Sequence, residues 1–262
     1  MSDWLFGPGS MIWKVNRESV LLLGGRAALL MQLAHPLVAA GVAEHSDFQS
    51  DPFGRLRRTL DVMLTIIFGT KQEAAEMMRH VNAVHAEVRG TAEDGRAYSA
   101  HDPHLALWVF ATLVYTSTAV YEACVRELVD DERTQLYDES KVVARMFGIP
   151  NSLIPATSDA LAAWMDEIIA SGEVVVTPLA RELAAEIIRP IRLVPRRLAE
   201  STALIEIALL PKEIRDGYGL KAGLPTKAAV QVGRRAARTL LPLMPQPLRV
   251  LPQARAALRS SV

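Results

Sequence analysis

Six histidines and one cysteine carry most of the metal and redox chemistry open to this chain of 262 residues. Two of the histidines fall in HVNAVHAEVRG, from His80 to Gly90, five residues apart. On a helix advancing about 100° per residue they stand about 140° apart around the axis. Met78, Val81, Val84, His85 and Val88 recur at spacings of three and four and form one apolar stripe, whereas His80 groups with Glu73, Glu76 and Glu87. The spacing sends His80 to water and His85 to the core. A histidine in an apolar stripe has two readings. It is a core imidazole hydrogen-bonded to a neighbour, or a neutral imidazole able to bind iron, as a proximal haem ligand must. Periodicity leaves both open.

Other chemistries narrow quickly. No HExxH occurs, and no Asp or Glu precedes a histidine by three residues, so the ExxH pattern of di-iron bundles is missing. His101-Asp-Pro-His104 could chelate a metal, but it lies at a turn and helix start, where capping and exposure are the plainer reading. GxSxG, the P-loop and GxGxxG are absent. Cys124 stands alone, which excludes an intrachain disulfide, four-cysteine zinc sites, CxxC redox pairs and CxxCH haem attachment. A mononuclear site of scattered ligands is not excluded by motif.

A second stripe precedes the histidines. Arg55, Arg58, Thr59, Val62 and Ile66 share one helix face. The arginines either reach to solvent from a helix start or, since the helix dipole opposes cations there, meet an anion such as a carboxylate or a haem propionate.

The elements that must position these residues are helical. Asn16 reads as the cap of a helix over VLLLGGRAALLMQLA, which Pro36 bends or restarts. SDFQSDPFG (46–54) reads as a loop, followed by a helix from about Arg55 to Phe68 that stops at Gly69. Thr70 to Glu73 is a capping box opening the histidine helix, with Gly90 as its terminator. AEDGR is a turn, and Asp102-Pro103 supplies a cap and an N1 proline for a long helix. Further helices fall at about 134–147, 158–171, 178–189 (capped by Thr177), 196–209 and 226–241, before a proline-punctuated tail over 241–262. EVVV (173–176) is the only β-branched run. With no repeat and no low-complexity linker, the expectation is one all-α domain.

Half the residues are apolar, enough for a sizeable core. The 29 basic and 29 acidic residues cancel, which argues against nucleic acid as a partner. From Lys227 onward, however, there are seven Lys and Arg and no Asp or Glu, so this tail is a candidate for peripheral contact with an anionic membrane surface. Pro103 to Tyr121 carries no charge and is long enough to span a bilayer, but a lone such segment among amphipathic helices reads as a buried central helix. MSDWLFGPGSMIWK lacks the pattern of a secretion or transit signal, and the expected compartment is cytoplasmic.

Several stretches, taken together and in order, resemble one family. They are LAHPLVAAGVAEHSDFQSDPFGRLRRTL (33–60), IIFGT (66–70), HAEVRGT (85–91) and YSAHDPHLALWVFATLV (98–114). The family is that of the latex-clearing rubber oxygenases and the fungal mycophenolic-acid-pathway oxygenase. The resemblance is densest over 33–115, with a family-like core over about 15–240. It implies an all-α, globin-like fold around a noncovalent haem b whose iron is held by a histidine, here His85. It also implies an Arg-x-x-Lys-Thr run beside the haem, which reads Arg55, Arg58 and Thr59 in this chain. Arginine replaces the lysine that can reach the distal iron position. A guanidinium stays protonated and is a poor iron ligand, so an open or water-occupied iron is expected. Glu44 is the nearest acidic match to the family's proposed base, at a spacing that departs from the pattern. His35 and His45 lie in family-like stretches and read either as helix-end hydrogen bonds or as groups approaching the iron.

The resulting expectation is a haem-dependent oxygenase or oxidoreductase. Its partners would be a hydrophobic small-molecule substrate, O2 and a candidate redox partner. The alternative is a non-enzymatic helical haem- or lipid-binding protein.

Overall fold

The computed structural model of the chain describes residues 3–46, 52–188, 207–220 and 224–259, except the side chains of 52, 53, 55, 56 and 224–230. The first helix, α1 (Met11–Asn16), is capped by Ser10, whose hydroxyl accepts from the Trp13 N–H. Asn16 therefore ends a helix instead of opening one, with its amide donating to the Ile12 carbonyl. The apolar run after it winds as a 3-10 turn over Ser19–Gly24 before α2 (Gly25–Leu33) begins. Paired glycines weaken an α-helix interior. Gly24 also sits where the chain around Val120 approaches, since a Cβ there would lie 3.0 Å from Val120 Cγ2.

Pro36 cannot extend α2, and the chain turns by 105° into α3 (Pro36–His45). α4 (Pro52–Phe68) and α5 (Lys71–Glu87) pack on each other across a two-residue connection, which makes them an antiparallel pair. The capping box at their junction forms as expected: Thr70 N–H donates to Glu73 Oε2 at 2.7 Å, and Glu73 N–H to Thr70 Oγ1 at 3.1 Å.

The described strands are β1 (Arg89–Thr91) and β2 (Ala97–Ser99), antiparallel with Gly90 opposite Tyr98. EVVV is irregular, burying Val174 and Val176 without pairing. α6 (Pro103–Cys124) starts on its Asp102 cap. There follow α7 (Asp130–Met146), α8 (Ser158–Ala170), α9 (Pro178–Ile188), α10 (Lys212–Gly217), α11 (Leu224–Leu240), a 3-10 turn over Leu241–Leu243, α12 (Gln246–Arg249) and α13 (Pro252–Arg259). Of the helix expected at 196–209, only residues 207–209 are described, and they are helical. Residues 47–51 of the expected loop lie outside the described residues.

α6 is central. By length and composition it could cross a membrane, but here α2, α7, α8, α11 and the first 3-10 turn surround it, and no residue from Leu105 to Cys124 is exposed. Its buried hydroxyls are satisfied locally: Thr116 donates to the Thr112 carbonyl at 2.8 Å, and Thr112 to Val109 at 2.7 Å. One core cluster gathers α2, α3, α6, α8 and α9, and a second gathers α1, α4, α5 and α7, with Leu21 and Val125 packed against both. The segment 246–251 returns to the start of the chain. Leu251 N–H donates to Arg17 O at 2.8 Å, Ser19 Oγ to Leu248 O at 2.7 Å, and Arg249 to the buried Glu18 carboxylate at 2.8 and 3.1 Å.

Candidate functional site

The α4–α5 pair sets the level of the expected residues. His85 is the fourteenth residue after Lys71 and Arg55 the thirteenth before Phe68. At about 1.5 Å per residue both stand roughly 20 Å from the turn, so the start of α4 lies abreast of the end of α5. The Arg55 side chain itself lies outside the described residues.

α5 buries Ala74, Met78 and Val81, and His85 and Val88 continue that seam half-buried. The seam advances by four and three in turn. Val84 does not belong to it and is 51% exposed, which corrects the broader stripe read from the sequence. His80 is exposed, as expected. The His85 ring lies 6.4 Å from that of His101, centroid to centroid. Among the described residues no group of three or more His, Cys, Asp and Glu could hold a bare metal ion. A porphyrin brings four nitrogens of its own and asks the protein for as little as one imidazole. A single half-buried histidine, His85, meets that ligand count.

Immediately after α5 the chain forms a tight knot. Tyr98 is buried and its hydroxyl donates to Glu44, at the end of α3. Burial, then the Glu44 hydrogen bond and charge, push the Tyr98 hydroxyl up to about 12, so it remains a donor at neutral pH. Gly90 makes the knot feasible: a Cβ there would lie 2.6 Å from Tyr98 Oη and 2.8 Å from Glu44 Oε2. Gly90 is thus not the helix terminator expected from sequence. α5 ends at Glu87, and Gly90 is the β1 residue over which its cross-strand partner folds. His45 stacks edge-on against Tyr98, and its Nε2 lies 3.2 Å from the Arg89 carbonyl.

A cavity of about 600 Å³ lies beside α4, walled by α1, the first 3-10 turn, α2, α4, α6 and α7, with Leu251 closing one side. Its surface is mainly apolar, with Leu21, Leu29, Met63, Ile67, Phe110 and Leu113 among its walls. Arg26, Gln32, Arg57, Thr59, Thr116 and Ser117 supply the polar points. Among the expected site residues whose side chains are described, Thr59 alone is on this wall. Arg58 is exposed and does not line it, and neither Glu44 nor His85 reaches it. Arg57, missed in the sequence reading, takes the rim instead, 3.7 Å from Asp61. The signal was present, because Arg57, Leu60, Leu64 and Ile67 recur at three and four on the inward face.

His35 is buried at the start of α3. Its Nδ1 accepts from Leu37 N–H at 3.3 Å, which places its proton on Nε2, 3.5 Å from Glu173 Oε1. Burial lowers its pKa, and Glu173 opposes the shift only in part. Of the two readings of His35, the structure shows the helix-end hydrogen bond. His101 and His104 are exposed at the turn into α6, where Ser99 and Asp102 accept from their backbone N–H groups.

Residues 13–242 match the family described as ER-bound oxygenase mpaB/B'/Rubber oxygenase, catalytic domain. Two uncharacterized mycobacterial proteins, from Mycobacterium tuberculosis and Mycobacterium bovis, are each 31% identical over 133 residues, 49% of this chain and 52% of theirs. The match thus spans about half the length of these curated relatives. No solved structure matches the chain.

Proposed function

The chain belongs to the mpaB and rubber oxygenase catalytic-domain family, and on that premise we propose that it is a haem b-dependent oxygenase or oxidoreductase acting with O2 on a hydrophobic small molecule. One observation carries the reading. Thr59 lines the apolar cavity, and it stands one turn beyond Arg55 on α4, the helix that packs on the His85 helix α5. A substrate compartment and a haem-binding end would thus meet on one helix.

In this reading His85 holds the iron through a neutral imidazole, and the bound haem supplies O2 activation. Arg55 and Arg58 hold the propionates by charge-assisted hydrogen bonds. The Thr59 hydroxyl offers a hydrogen bond at the border between cavity and haem. Arg58, in place of the family's lysine, would stay protonated and would not itself ligate the iron. Glu44 is the candidate proton acceptor, with one carboxylate oxygen tied by Tyr98. The cavity wall, with few polar points, excludes water and accepts an apolar skeleton. A redox partner would supply electrons if the reaction consumes them.

The test is the absorption spectrum of protein expressed with haem supplied. A Soret band is expected in the parent and is expected to be lost or shifted in His85→Ala. Full haem occupancy with unchanged ligation in that variant rejects His85. Absence of haem from the parent rejects the reading as a whole. A second reading, a non-enzymatic haem or lipid carrier, draws on the separation of His85 from the cavity wall. It predicts ligand binding without O2 consumption.

A further inference from the structure

The described residues of α11 divide their outer surface in two. Val232, Ala236 and Leu240 recur every fourth residue, and all are exposed. Arg235 and Arg238, also exposed, occupy the adjoining strip. The inner face, with Gly233, Arg234 and Ala237, turns toward the body of the protein. The apolar outer stripe has no partner among the described residues, and it continues past the helix end. Leu243 is 76% exposed and Leu248 64%.

This apolar surface leads to the cavity. The Leu248 carbonyl accepts from Ser19 at one end of the 3-10 turn that carries Leu22, and Leu22 is both 46% exposed and part of the cavity wall. Leu251, three residues after Leu248, lines the same cavity.

Charge selects the partner. From Gly217 to the end the chain contains no Asp or Glu, while Arg235, Arg238, Arg249, Arg255 and Arg259 all lie in its described part. Two of the acidic groups facing this segment from other elements are engaged by its arginines, and Glu122 is paired with Arg133, while Asp166 and Arg234 both lie near Tyr115. Glu18 is buried against Arg249, and Glu127 pairs with Arg238 at 3.2 Å. At the cavity rim Asp61 is paired with Arg57. Exposed leucines beside a strip of arginines, with no net negative charge, form the surface that seats in the headgroup layer of an anionic bilayer.

We infer that the outer face of α11, with Leu243, Leu248 and Leu22, docks on an anionic lipid bilayer and turns the cavity mouth toward it. An apolar ligand then passes from the bilayer to the cavity without crossing water. The inference stands apart from the oxygenase reading, because docking is measured with no cofactor present.

The experiment is sedimentation of the full chain with phosphatidylcholine vesicles, with and without phosphatidylserine, at low and high salt. The parent is expected to partition several-fold better onto the phosphatidylserine vesicles and to lose that advantage in high salt. Arg235→Gln is expected to lower partition about fivefold, as for one basic residue at such a surface. Leu243→Glu combined with Leu248→Glu is expected to lower it about tenfold or more. Both changes fall on side chains that reach solvent, and circular dichroism confirms that the variants fold. Equal sedimentation of the parent with both vesicle types overturns the inference. So does parent-like sedimentation of both variants. A dimer that the leucine changes convert to monomer, with no vesicle binding by either form, overturns it in favour of a second copy of the chain on this face.

Discussion

Gly90→Ala is a sharp test of the knot beside the candidate site. The new Cβ would lie 2.6 Å from Tyr98 Oη, 2.8 Å from Tyr98 Cζ and 2.8 Å from Glu44 Oε2. No rotation of the methyl group relieves contacts on the Cβ itself, so the tyrosine ring or the strand must move. Overpacking of this kind costs about 1–3 kcal/mol. If the ring swings away it also gives up its hydrogen bond to a carboxylate, a bond worth about 1.5–3 kcal/mol. The chain takes the cheaper route, and the expected loss is about 2 kcal/mol. In a chain of this size that lowers Tm by about 4–8 °C. Urea and thermal unfolding measure it, and ultraviolet titration adds a second readout. Tyr98, held up to about 12 in the parent, moves toward the ordinary phenol range once its ring is exposed. In a Tyr98→Phe background the closest contact is gone, and the same glycine change should cost about 1 kcal/mol less. A Gly90→Ala protein within about 0.5 kcal/mol of its parent would refute the steric argument.

Two further outcomes are expected. Arg249→Ala leaves Glu18, 2% exposed, with Arg17 at 3.4 Å as its remaining cation; stripping a partner from a buried carboxylate should cost about 3 kcal/mol in urea unfolding, and a loss under about 1 kcal/mol contradicts it. The second outcome concerns acid. His35 is held below its usual 6.5 by burial, so the unfolded imidazole takes up a proton at a higher pH than the native one. Its contribution is full above about pH 6.5 and is lost as pH falls toward the lowered native value. His35→Asn keeps a capping side chain without the titration, so the parent's fall in stability between about pH 7 and about pH 5 should be shallower in the variant; identical slopes contradict it.

The parts of the fold legible in the sequence are those written in local chemistry. Asp102-Pro103 and Thr70 to Glu73 announce helix starts because capping needs only three or four neighbouring residues. Pro36 marks the bend because a missing N–H acts at its own position. What was not legible depends on partners distant in sequence. Arg57 and Arg58 differ by one position and about 100°; both spacings of three and four are visible in the sequence, and only the cavity shared with α2 and α6 shows that the Arg57, Leu60, Leu64 stripe is the one that lines it. Val84 and His85 pose the same problem on α5, where one step separates the seam from open surface. Gly90 read as a stop because glycine ends many helices. Its actual constraint, the approach of Tyr98 and Glu44, involves an aromatic ring eight residues later and a carboxylate on an earlier helix. The three-residue strands around it are too short to leave a periodic trace. For the candidate site, the histidine helix and the arginine–threonine run were readable as stripes, while the cavity had no local signature because six separate elements and Leu251 wall it.

The return of residues 248–251 to the first 3-10 turn has a consequence for how the protein is made. Leu251 closes one wall of a cavity whose other walls come from the first half of the chain and α7. A nascent chain extended only to Leu240 has neither the Leu251 side chain nor the Arg249 partner of Glu18. Until those residues leave the ribosome, a buried carboxylate lacks its main cation and an apolar chamber stands open to solvent or to chaperones. Joining segments this far apart in sequence carries a loop-closure cost that local contacts do not, which would favour closing this wall late in folding. The compartment that would receive a greasy ligand is therefore incomplete until the chain has been made as far as Leu251. A helper protein, or the ligand itself, would find its best opportunity in that interval.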